Sequence, residues 1–245
     1  MKNRGVRLLV SLGLAVLLMG ILVWATPEEN PHRILVMMGG TMPEGLIQGV
    51  TYFLFFFGIL EVLELKRRLA YEEDAFEAHL LPETENYIVS YEDANQIKLN
   101  MQRLGRSQRF LLTDLIVKAC TKYRLGKSSS EVLSLTEAEV KLYSEEFESE
   151  QAYINYTAWA IPSVGFIGTV LGIAASLGFA NQASTPEGIK KVTDMLAVAF
   201  DTTLVALVLS IVLMYLIHDL HKQQDRLFVR MSNYVIDNLI NRFYK

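Results

Sequence analysis

Apolar residues gather in four long blocks, and most charged residues gather in one stretch between the second and third blocks. A helix needs about 20 apolar residues to cross the hydrocarbon core of a bilayer. Residues 8–25 supply 18 uncharged residues and residues 46–65 supply 20, with Glu61 and Glu64 near the end of that block expected at headgroup level. Residues 151–186 carry no charge at all, and residues 195–217 carry one, Asp201. The pattern predicts an all-α polytopic membrane protein with four transmembrane helices.

Basic residues orient the spans, since Lys and Arg collect on the cytoplasmic side. Lys2, Arg4 and Arg7 precede the first block, Lys66, Arg67 and Arg68 follow the second, and Lys222 and Arg226 follow the fourth. Both termini are therefore expected in the cytoplasm, with short outer loops at residues 26–45 and 181–194. Residues 1–25 also resemble a secretory signal ending at Val23-Trp24-Ala25. We read them as a retained helix.

Residues 66–150 contain 12 Lys or Arg and 16 Asp or Glu, and Pro82 and Gly126 are the main breakers expected there. Ile97, Met101, Leu104, Leu111, Leu115 and Ile116 recur at helical spacing over 94–124. Two or three helices are predicted. The last is capped by Ser128, Ser129 or Ser130 with Glu131 in its first turn. It is expected to run unbroken into the third span for about 50 residues, well beyond the globular norm. Leu227, Met231, Val235 and Leu239 predict a further helix over 221–242, paired against that stalk in a cytoplasmic bundle. The expected divisions are thus 1–65 for the first two spans and their loop, 66–150 for a cytoplasmic helical domain, 151–218 for a transmembrane hairpin, and 219–245 for an amphipathic C-terminal helix.

The net charge of −4 gives no basic surface for nucleic acid, and the single cysteine, Cys120, permits no disulfide within the chain. Cys120 is expected to pack on an apolar helix face. His32, His79, His218 and His221 form no compelling metal cluster, although His218 and His221 lie at i, i+3. Glutamates such as Glu145, Glu146 and Glu148 read as a solvated face. No glycine loop for phosphates occurs in the soluble stretch, so no enzymatic chemistry and no cofactor are expected.

The third span carries Pro162 and then Gly165, Gly168, Thr169, Gly172, Ala175 and Ser176, which form one stripe of small residues on a helix face. In lipid such stripes mark close helix contacts. Ala199, Thr203, Ala206 and Ser210 form the answering face of the fourth span. Asp201 is a charged group in mid-span, which costs roughly 2.5–3.5 kcal/mol on insertion scales, so it must face protein or water. It lies about 200° round the helix from Thr203, so the two cannot face one pore centre.

The hairpin resembles the MotA/TolQ/ExbB proton channel family. The run from Pro162 through Gly165, Gly168, Thr169 and Val170 to Gly172 is similar to the family's P-x-x-G-x-x-G-T-V-x-G pattern. Residues 199–207, with Thr203 and Leu207, resemble its final-span pattern. The resemblance implies a homopentamer around a dimer of a single-span partner similar to MotB, TolR or ExbD, whose helix carries an ion-binding aspartate. It also implies an ion pathway at Thr169 and Thr203, driven by protons, with sodium the alternative, in a bacterial inner membrane. Members similar to ExbB and TolQ carry a glutamate where this chain has Val198, and Asp201 lies three residues later. Asp201 is accordingly expected in a coupling or subunit-contact role, with Pro162, Gly165, Gly168, Gly172 and Ala206 in helix packing. The resemblance thus implies a stator-like subunit of an ion-driven motor; a passive scaffold and a stand-alone cation channel are the other readings.

Overall fold

The computed structural model describes residues 4–27, 31–43, 45–84, 87–106 and 108–244; Lys2, one of the residues used for orientation, lies outside them. Seven α-helices follow in order: α1 (Arg4–Ala25), α2 (Arg33–Met37), α3 (Leu46–Glu77), α4 (Tyr91–Leu104), α5 (Leu111–Arg124), α6 (Ser129–Gly178) and α7 (Pro186–Asn238). Short 3-10 turns cover Ala180–Gln182 and Ile240–Arg242. Among the described residues the only extended pairing is an isolated parallel bridge between Val89 and Phe243. Among the described residues four helices, α1, α3, α6 and α7, are long and apolar enough to cross a membrane.

The 50-residue α6 begins where the serine run predicts. Ser128 is the residue that caps it. The Glu131 amide donates to Ser128 Oγ at 3.3 Å while the Ser128 amide donates to Glu131 Oε2 at 3.1 Å, a reciprocal capping box. The 53-residue α7 is longer than expected, starting nine residues before the apolar block and running through residues 221–238 without a stop. Pro186 opens it, a position where the missing amide costs nothing, and Thr185 Oγ1 accepts from the Gly188 amide at 3.1 Å. Residues 94–124, which share one helical spacing, are in fact two helices: α4 ends at Leu104 ahead of Gly105, and α5 packs back upon it.

The chain divides into two compact units. The first contains Met1–Leu63 and Ala152–His218. Its interior holds Ala15, Met19 and Leu22 of α1, Tyr52 of α3 and Val205 of α7, with Leu35, Met37 and Met38 packed on them. Leu213 of α7 fills the space left by Gly58 of α3. Glu61 is buried and receives Arg7 Nε at 2.8 Å, with Arg4 Nε at 3.6 Å. A carboxylate withdrawn from water requires such partners, and the two arginines at the start of α1 supply them. Large apolar side chains cover the outside of this unit, among them Leu9, Phe166, Phe200 and Ile211. Such a surface suits lipid or neighbouring helices rather than water.

The second unit contains Glu64–Gln151 and Asp219–Lys245. Ile97, Met101, Leu115 and Ile116 point into its core, as do Leu227, Met231, Val235 and Leu239, whose spacing predicted a buried stripe. α6 and α7 pack here through Phe147 against Phe228, edge to face, and through Gln151 Nε2, which donates to the Gln224 carbonyl oxygen. Phe110, ahead of α5, offers no side-chain cap. Glu72 of α3 does so instead, accepting from the Leu111 amide at 2.7 Å; burial pushes its carboxyl above the usual carboxylate range.

The last residues of the chain are clasped in this unit. Val89 donates its amide to the Arg242 carbonyl at 2.7 Å and accepts from the Tyr244 amide at 3.1 Å. The Phe243 ring stacks on Tyr123 with centroids 3.7 Å apart, and Tyr91 stacks on the same tyrosine at 4.6 Å. Arg242 Nη1 donates to the carbonyls of Pro82 and Thr84 at 2.7 and 2.6 Å.

Cys120 is buried on the inner face of α5, and burial pushes its thiol up to about 12. Thiolate is therefore scarce at neutral pH and the sulfur is shielded. A maleimide is expected to leave Cys120 unmodified in the folded protein and to label it fully in denaturant, as read by intact mass.

Candidate functional site

The hairpin of the first unit is built on an antiparallel seam between α6 and α7. Gly165, Gly168, Gly172 and Ser176 are buried along it, and Thr169 and Ala175 are half-buried. Each glycine admits a group from α7 that a side chain would exclude. A Cβ on Gly165 would stand 2.5 Å from Ala206 Cβ, one on Gly168 would fall on the Thr202 side chain, and one on Gly172 would stand 2.7 Å from Ala199 Cβ. The small-residue stripe is thus a contact surface, as helix association in lipid requires.

This close approach brings hydroxyls of one helix to the backbone of the other. Thr169 Oγ1 donates to the Ala199 carbonyl at 3.0 Å, and Thr203 Oγ1 donates to the Gly165 carbonyl at 2.9 Å. The two threonine hydroxyls also touch one another. Ser176 Oγ donates to the Val192 carbonyl at 3.0 Å nearer the turn of the hairpin. Pro162, which has no amide proton, leaves the Ala158 carbonyl without its usual helical donor. Ser210 Oγ of α7 lies 3.4 Å from that carbonyl and serves it. Proline is tolerated inside α6 because the neighbouring helix replaces the lost bond.

Thr169 and Thr203 sit at the edge of the seam rather than in its dry centre. Both are half-buried, and the residues flanking them, Phe166, Val170, Phe200 and Leu204, are exposed. Thr202, which the pattern did not single out, occupies the centre: it is buried in the hollow over Gly168 and donates to Ala199 of its own helix at 2.9 Å.

Asp201 faces the other way, as its angular distance from Thr203 required. It shares a face of α7 with Val205 and Leu209, which pack against α1 and α3. Its carboxylate is buried and held by the guanidinium of Arg33 at the start of α2: Nη2 donates to Oδ1 at 2.6 Å and Nη1 to Oδ2. Arg33 belongs to the segment joining α1 to α3, so that segment reaches over to Asp201 of α7. The two-pronged pair offsets the cost of burying the charge. Arg33 was missed, although it is the one Lys or Arg among residues 26–45 and Asp201 the one charge of its apolar block. A single acid in an apolar block calls for a single base within its reach.

Tyr52 Oη donates to the Met38 carbonyl at 2.8 Å, which fixes the far end of α2 to α3. α2 is therefore tied at one end to α7 and at the other to α3.

Residues 107–233, just over half of the chain, match the model of the MotA/TolQ/ExbB proton channel family. The chain belongs to that family and is a multi-pass membrane protein with an ion-channel role. The matched region contains the whole seam, Thr169, Thr203 and Asp201 included. No match was found among curated proteins or among solved structures.

Proposed function

We propose that the chain is the channel-forming stator subunit of an ion-driven motor in a bacterial inner membrane, coupling proton flow to mechanical work on a single-span partner. The observation that carries this reading is the meeting of Thr169 and Thr203 at the open edge of the seam. Side-chain hydroxyls there stand beside exposed apolar surface, where a helix of a second protein fits. The chain would form a homopentamer around a dimer similar to MotB, TolR or ExbD, each partner helix bringing an aspartate to the threonines. Protonation of that aspartate removes its charge and changes which hydroxyl it prefers. One charge crossing 100 mV releases about 2.3 kcal/mol, enough to drive such an exchange step by step.

Both termini and the second unit would lie in the cytoplasm. Arg4 and Arg7 at the start of α1, and Lys66 to Arg68 along α3, support that orientation. Asp201 would act in coupling, through Arg33 of its own chain, beside the ion path rather than in it.

The test is reconstitution into vesicles carrying a pH-sensitive dye, with the chain alone and with a single-span protein similar to MotB, TolR or ExbD that carries an aspartate early in its span. Proton uptake is expected only with both proteins and only under an inward proton gradient. Conductance by the chain alone would mark a stand-alone channel. No flux in either case would mark a scaffold, and flux that follows sodium instead of protons would change the ion.

A further inference from the structure

We infer that Arg33 is a positioning residue for the ion path: its pair with Asp201 sets the rotation of α7 and so holds Thr203 against Thr169. The inference rests on the reading of those threonines as the path, and it concerns a residue outside the hairpin.

Gly165, Gly168 and Gly172 face Ala199, Thr202 and Ala206, all small. Such a surface fixes how closely two helices approach. It offers few large knobs to fix how far either is turned about its own axis. The polar bonds across the seam that involve Thr169 and Thr203 all sit on one edge. A modest rotation of α7 would carry Thr203 off that edge without separating the helices.

The opposite side of α7 carries the restraint. Val205 and Leu209 pack there against apolar side chains, which resist separation but accommodate rotation. Asp201 on the same side is gripped by both prongs of a planar guanidinium, a contact that specifies direction as well as distance. Arg33 is itself located by α2, whose other end is tied to α3 through Tyr52. Asp201 and Thr203 lie about 200° apart, so fixing one fixes where the other points. Asp201 is 4% exposed whereas the Arg33 side chain is 61% exposed. The grip is thus applied from the outside of the bundle, by a group in contact with its surroundings.

The test reads geometry, not flux. Full-length protein carrying Thr169→Cys and Thr203→Cys is oxidised in membranes, and the intrachain disulfide is quantified; Cys120 is buried and stays in place. Disulfide formation is expected with Arg33 present and lost in Arg33→Gln, with the gel-filtration peak of the protein unchanged. Arg33→Lys keeps the charge without the fork and is expected to form the bond more slowly than the arginine form. An unchanged rate in Arg33→Gln overturns the inference. Should Arg33→Gln fail to give a folded peak, Arg33→Lys decides by the same reading, and an unchanged rate there overturns it. The outcome is separate from the ion-path reading. That reading fails if vesicles containing Thr203→Val conduct normally, whatever the disulfide shows.

Discussion

Thr203→Val is expected to abolish proton flux in vesicles containing the partner protein, while yield and gel-filtration profile stay those of the native chain. Valine has the same shape as threonine, so the packing over α6 is kept. What is lost is the bond of Thr203 Oγ1 to the Gly165 carbonyl and its contact with the Thr169 hydroxyl. A typical intramolecular hydrogen bond contributes about 1 kcal/mol net, too little to unfold a hairpin with so long a contact. Thr169 retains its bond to Ala199, so no new unsatisfied donor is created. On the proposed mechanism, by contrast, the ion path would lose a group able to meet a partner's aspartate in either protonation state. Thr202→Val is the matched control. Thr202 is buried over Gly168 and bonds its own helix, and its replacement should leave flux near native. Equal effects of the two substitutions, or native flux in Thr203→Val, would show that the threonine edge is not the path.

Gly172→Leu is expected to prevent the hairpin from closing, with loss of monodisperse protein after extraction. A Cβ at this position stands 2.7 Å from Ala199 Cβ and 2.9 Å from both the Cα and the amide nitrogen of Ala199. The obstacle is largely backbone, which cannot swing aside. Overpacking a core costs about 1–3 kcal/mol where side chains can shift, and this contact lies at the upper end or beyond. Gly168→Leu should also be severe, because its Cβ would stand 2.7 Å from Thr202 Cβ, which turning the γ atoms does not move. Ala199→Gly should not rescue Gly172→Leu, since the Cα and nitrogen remain. Gly178→Ala, at a position with open space around it, should be neutral. Thermal melting of the purified variants ranks all four, and a stable Gly172→Leu protein would mean that α6 and α7 do not pack as described.

Elements dominated by one local rule were legible in the sequence. The four apolar blocks, the serine-capped start of α6 and the buried Leu227 to Leu239 stripe each follow from periodicity or capping. The small-residue seam was legible too, because glycines at i, i+3 and i+7 have few other uses in a membrane helix. The start of α7 is hidden from hydropathy because its first turns are polar, although Thr185, Pro186 and Glu187 make a good helix opening. Gly105 was passed over within a stretch whose apolar spacing continues on both sides of it. Arg33 and Glu61 have partners that were illegible for a different reason. Each is a charge placed by a partner more than fifty residues away, and no local pattern encodes such a partner.

The clasp around Phe243 has a consequence for how the protein is made. Val89, Tyr91 and Tyr123 wait for residues 242–244, which leave the ribosome after all four membrane helices. Chains are synthesised from the N-terminus at roughly 5–20 residues per second, so the helices α4 and α5 emerge well before their final neighbours exist. The unit spanning Glu64–Gln151 and Asp219–Lys245 can close only after every membrane helix has been translated. Nascent chains halted before residue 219 would therefore present an open apolar face on α4 and α5, a natural target for chaperones, whereas chains extended past residue 244 would not.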